Sequence, residues 1–144
     1  MAAVLNPTTF LATHDSRVAE LFQSGWHLAC TMFYHCIRYT IDRHEMAAFE
    51  RYARNWMEGG IIRRCGGRPV GYFLPRAGFG GADNIAFALI GFESLADYEQ
   101  YRHNLMNDPE ARANLADAAK SRCILQEERS YFYRIDSPAE EASP

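Results

Sequence analysis

Asn84-Ile85-Ala86-Phe87-Ala88-Leu89-Ile90-Gly91-Phe92 is the stretch on which the fold turns. It is bounded by a glycine-rich run, rich in aliphatic and aromatic side chains, and the length of a strand. Successive side chains of a strand point to opposite faces. Ile85, Phe87 and Leu89 therefore share one face, and Ala86, Ala88, Ile90 and Phe92 the other. Neither face is polar. A strand in a solvated two-layer domain keeps one face for water, so something must cover both sides of this one.

Working outward, the same two-sidedness recurs. Phe33-Tyr34-His35-Cys36-Ile37-Arg38-Tyr39-Thr40-Ile41 reads as a first strand, with His35, Ile37 and Tyr39 on one face. Asp42 caps a following helix, Glu45 sits at the capping-box position, and Met46, Phe49, Ala53 and Trp56 recur at helical spacing. Gly59-Gly60 stop it. Gly66-Gly67 turn into a second strand, Pro69 to Leu74, and Pro75 to Asp83 form a loop before the third strand. Ser94 caps a helix whose inner face is Leu95, Tyr98, Tyr101 and Leu105. Asp108-Pro109 opens another, running to about Ser121. Cys123 to Arg134 supplies the fourth strand.

The order β-α-β-β-α(α)-β predicts an α+β, ferredoxin-like domain: a four-stranded antiparallel sheet with helices on one face. Its second sheet face stays apolar. The expectation is a homodimer in which two sheets face each other as a dimeric α/β barrel. The expected boundaries are an N-terminal extension with a short helix over 1–31, the domain over 32–136, and a disordered tail over 137–144.

Composition narrows the function. The chain has 144 residues, 15 Lys and Arg against 18 Asp and Glu, and a net charge of −3. That acidic balance argues against a nucleic-acid protein, which usually carries a basic patch. No apolar run reaches the roughly 18–20 residues of a membrane span. Cys30, Cys36, Cys65 and Cys123 form no CxxC pair, and the N-terminus has no basic n-region. The expectation is reduced thiols in a cytoplasm, with no metal and no cofactor.

Tyr34 to Ile41, Phe49, Gly66-Gly67 and Val70-Gly71-Tyr72-Phe73 together resemble the NIPSNAP family. So do Asn84 to Tyr98, Asn107-Asp108-Pro109-Glu110 and Gln126-Glu127-Glu128-Arg129. The similarity covers about Met32 to Ile135. It implies a dimeric α/β-barrel fold, a superfamily that includes cofactor-free monooxygenases and isomerases. The chain departs from the family pattern at His35-Cys36-Ile37, where many members have Glu-Leu-Arg, and at Ala88 and Ile90.

His35 is the candidate catalytic residue, as a general base or a partner for an acidic ligand group. The alternative is a core histidine bonded to a tyrosine. Tyr39, Tyr72 and Tyr131 are candidate ligand-orienting hydroxyls, or aromatic filling. Arg38 is a candidate carboxylate clamp, or the ion-pair partner of Glu127 or Glu128. Phe79 is a candidate lid residue on the Gly78-Phe79-Gly80-Gly81 loop, or part of a mobile hairpin. The expected function is binding of a small apolar or aromatic molecule in the barrel, with or without cofactor-independent oxygenase- or isomerase-type chemistry. The competing expectation is a non-enzymatic interaction module whose barrel is packed shut.

Overall fold

The computed structural model describes residues 32–136. The short helix expected within 1–31 and the tail expected over 137–144 lie outside the described residues. The elements are β1 (Phe33–Ile41), α1 (Met46–Glu58), α2 (Ile61–Cys65), β2 (Arg68–Phe73), β3 (Ile85–Phe92), α3 (Leu95–Asn107), α4 (Pro109–Ser121) and β4 (Ile124–Tyr133). A 3-10 turn, Arg43–Glu45, precedes α1. The sheet is four-stranded with order β2-β3-β1-β4, and every neighbouring pair is antiparallel. This is the α+β, ferredoxin-like arrangement that the alternation of strands and helices predicts.

The helix boundaries follow from their caps. Asp42 accepts from the His44 amide, Ser94 from the Asp97 amide and Asp108 from the Ala111 amide. Pro109 takes the first helical position, where a missing amide costs nothing. Helix α2 has no counterpart in the sequence reading, which takes Arg63-Arg64 as chain beyond the preceding helix. Gly60 and Gly66 frame it, both in left-handed conformations that suit glycine, and Ile61, Ile62 and Cys65 are buried. Burial of its apolar side chains, more than intrinsic propensity, holds this single turn. Leu95 also departs from expectation: it is 64% exposed, and only Tyr98 and Tyr101 of α3 are buried.

The core lies between one sheet face and the helices. His35, Ile37, Tyr39 and Ile41 of β1 and Ala86, Ala88, Ile90 and Phe92 of β3 are all buried. Tyr39 meets Phe49 and Tyr52 of α1, and Phe92 meets Tyr98 and Tyr101 of α3. The register places His35 beside Ile90, Ile37 beside Ala88 and Tyr39 beside Ala86. Small alanines on the central strand leave room for the tyrosine and tryptophan side chains above them. Asn114 of α4 joins the layers, donating to the Tyr52 carbonyl at 3.0 Å and accepting from Asn55 at 2.9 Å.

Gly67 marks a close approach. A Cβ there would lie 2.8 Å from Ile62 Cγ2, 2.9 Å from Ile90 Cγ2 and 3.1 Å from Tyr101 Cε2. Gly67→Ala should therefore overpack the junction of α2, α3 and β3. The expected cost is about 1–3 kcal/mol in urea unfolding, as for other small-to-large core changes. A variant as stable as the native chain would mean that the junction is not tightly packed.

The opposite sheet face carries no helix. Tyr34, Cys36, Arg38 and Thr40 of β1 lie there beside Gly91, Leu89, Phe87 and Ile85 of β3. Phe73, 53% exposed, and Phe132, 52% exposed, extend this apolar surface onto β2 and β4. Among the described residues no helix is long and apolar enough to cross a membrane.

Candidate functional site

A half-open cavity of about 360 Å³ lies between the helix-bearing sheet face and the helices. β1 contributes His35, Ile37 and Tyr39 to its wall. Tyr52 and Trp56 come from α1, and Arg102 and Leu105 from α3. Arg112 comes from α4, and Glu127 and Arg129 from β4. Its size falls within the range of small-molecule sites, roughly 300–1,000 Å³. The cavity exists because β4 is an edge strand. The helices pack over the central strands and leave its exposed rim uncovered.

His35 is 4% exposed, and neither ring nitrogen has a hydrogen-bond partner. The ring stacks on Tyr131 (centroids 5.2 Å, interplanar angle 15°) and meets Tyr98 edge-on at 5.2 Å. Burial lowers its pKa to about 4, and the positive charges of Arg129 and Arg102 push the same way. His35 is thus a neutral imidazole at pH 7, with one nitrogen carrying hydrogen and the other accepting. Buried polar groups without partners are rare, and this one borders a cavity. Trp56 Nε1 is a second buried donor on the same cavity wall, with Tyr52 beside it.

The tyrosines are paired. Tyr39 and Tyr72 hydroxyls are 3.3 Å apart, and those of Tyr98 and Tyr131 2.9 Å. Burial raises the pKa of Tyr39 and Tyr72 well above the ordinary phenol value, and raises that of Tyr98 to about 12. All three are therefore protonated at neutral pH and able to donate. Arg129 pairs with Glu127 at 2.7 Å. Arg102 lies over the Tyr98 ring at 5.9 Å.

The structure brings His35, Tyr39 and Tyr72 to one cavity and sets Tyr131 against His35. It does not bring Arg38 or Phe79 there. Arg38 lies one residue out of phase with His35, on the helix-free face, and its Nη1 is 2.6 Å from Glu128 Oε2. Phe79 is 80% exposed on the loop between β2 and β3. The cavity lies between sheet and helices of one chain, because the face that carries His35 is the one the helices cover. Sequence reading missed Arg102, Arg112 and Arg129. The signal for Arg129 is the antiparallel register, which sets Tyr131 beside His35 and Arg129 beside Ile37. Trp56 and Tyr101 read only as helix core. Among the described residues no group of His, Cys, Asp and Glu is placed to hold a metal ion.

Sheet order, helix placement and this aromatic cavity define the class: a ferredoxin-like α+β domain with a small-molecule-sized pocket under its helices. The NIPSNAP family model matches residues 34–138, and the chain belongs to the NIPSNAP family. A NIPSNAP family protein of unknown function from Agrobacterium tumefaciens is 25% identical, with a TM-score of 0.62, over 78% of this chain and 96% of that one. A second from the same organism is 22% identical, with a TM-score of 0.61, over 76% and 92%. A dimeric protein of unknown function and ferredoxin-like fold from Bacteroides fragilis is 15% identical, with a TM-score of 0.52, over 72% and 96%. The comparison with curated proteins gives no match.

Proposed function

We propose that this protein is a homodimer that binds a small apolar or aromatic molecule in the cavity between its sheet and helices. The observation that carries the ligand reading is His35: buried, with neither ring nitrogen hydrogen-bonded, in the wall of a cavity of about 360 Å³. A ligand carbonyl or hydroxyl would satisfy it. The paired tyrosines supply flat apolar walls and donors that orient the guest. The dimer reading rests on the helix-free face, where Phe73, Leu89, Phe87 and Phe132 form an apolar surface without cover in one chain. The Bacteroides fragilis protein of similar fold is dimeric.

His35 serves here as a hydrogen-bonding group. A base whose conjugate acid has a pKa near 4 abstracts protons poorly at pH 7. Oxygenase- or isomerase-type chemistry would require the bound molecule to raise that pKa. The competing reading, an interaction module with a packed interior, is less favoured because the cavity lies within ligand-site range.

The test is a thermal-shift screen of quinones, phenols and short acids on the full chain, with tryptophan fluorescence, to which Trp56 in the cavity wall contributes, as a second readout. A true ligand at about 100 times its Kd should add about 2.7 kcal/mol of stability and raise Tm by several degrees. His35→Ala should lower that ligand's affinity by about tenfold, the loss of one or two hydrogen bonds. Absence of any shift across the screen, with no ligand retained in native mass spectrometry, would remove the ligand reading.

A further inference from the structure

The charge around the cavity points further than its shape. Three of its wall residues are arginines, Arg102, Arg112 and Arg129, and one is a carboxylate, Glu127. Glu127 is already committed to Arg129. Arg102 and Arg112 have no carboxylate partner among the described residues, although the protein is acidic overall and seven of the eleven other described arginines have one. Two uncompensated guanidinium groups beside an apolar cleft focus a positive potential into it. His35 lies beside the same positive charges. The groups facing it are Tyr98 and Arg102 from α3 and Tyr131 and Arg129 from β4, with no carboxylate in contact.

We propose that the cavity takes a small aromatic acid, with its ring against His35 and the tyrosines and its anionic group held by Arg102 and Arg112 at the rim. This deepens the ligand reading above and rests on it. A neutral aromatic molecule would fill the apolar wall and leave the arginines unanswered. A hydrophilic anion would meet the arginines and leave the aromatic wall wet. Only a molecule with both parts uses the whole surface. Guanidinium and carboxylate match in planar, two-point geometry, which favours a carboxylate over a diffuse anion. The volume admits one or two fused rings. Arg129 keeps its place through Glu127, so its role is to hold the positive field beside His35.

The experiment compares 2-naphthoate with its neutral near-isostere 2-naphthamide, by calorimetric titration of the full chain at neutral pH. Naphthoate should bind at least about tenfold more tightly. The double variant Arg102→Met, Arg112→Met should abolish that preference and leave naphthamide affinity within about twofold. The naphthamide arm also reports that the variant is folded. Rising salt should weaken naphthoate and spare naphthamide. Equal affinity of the two probes for the native chain would overturn the acid proposal and leave the cavity reading standing. A preference that survives loss of both arginines would overturn it too. Binding of neither probe, together with a silent thermal-shift screen, would overturn the cavity reading and this proposal with it.

Discussion

Phe87→Glu should convert the protein from a dimer of twice 16.4 kDa to a monomer of that mass in light scattering at low micromolar concentration. Phe87 sits near the middle of the helix-free face, between Arg38 of β1 and Phe73 of β2. It is 40% exposed in one chain, and Phe73 beside it on β2 is more exposed, as is Phe132 further along the same face on β4. An apolar patch of this kind on a solitary domain is an aggregation hazard. Two copies face to face would bury it in an interface of standard size or larger, about 1,600 Å² or more. A carboxylate at its centre would meet its own symmetry mate in a dehydrated seam. The fold should survive, because the side chain of Phe87 points away from the helix-packed core. Retained far-ultraviolet circular dichroism with halved mass is the expected result. A variant that stays dimeric, or a native chain that is already monomeric, would refute assembly through this face.

Acidification should destabilise the protein through His35 by about 3 kcal/mol between pH 7 and pH 4. The imidazole has a pKa near 4 in the folded protein and about 6.5 when unfolded. Between those values the unfolded chain binds the proton and the folded one does not. Protonation therefore favours unfolding, and stability falls as pH drops through that window. The His35 contribution is intact above about pH 6.5 and fully lost below about pH 4. His35→Gln removes the titration and retains polarity, so the variant should lose less stability over the same range. The measurement is urea unfolding of both proteins from pH 7 to pH 4, read as the difference of differences, which cancels the carboxylates they share. Parallel pH profiles would show that His35 is not held neutral. A bound acid should narrow the effect, since its negative charge opposes that of Arg129 and Arg102 at the ring.

Much of the fold was legible in local chemistry. Asp42, Ser94 and Asp108 mark helix starts through side-chain bonds to nearby amides, which depend on a few adjacent residues. The alternation of apolar residues in β1 and β3 separates the side chains of each strand into two sets. Helix α2 escaped because Ile61 to Cys65 is one turn, too short for periodicity to show. Leu95 escaped because it precedes the stretch of α3 that faces the sheet, and an apolar residue in a first turn looks the same whether covered or not.

The site was legible in its types more than in its grouping. His35, Tyr39 and Tyr72 were recognisable as unusual residues on strands, and they line one cavity. Arg38 adjoins Ile37, the position where many family members carry arginine, yet one step along a strand is a change of face. Arg102, Arg112 and Arg129 come from three separate elements, and nothing in their local sequence distinguishes them from other surface arginines.

The sequence by itself determined the order of strands and helices, the helix caps and the pairing of residues into faces, because each is set by interactions within a few residues. The tertiary structure alone decided which face the helices cover, and so where the cavity lies. That choice depends on how helices from distant parts of the chain pack over β1 and β3 while leaving edge strand β4 bare. It buried His35 among phenols and guanidiniums and left Arg38 on the other side of the same strand, paired with Glu128.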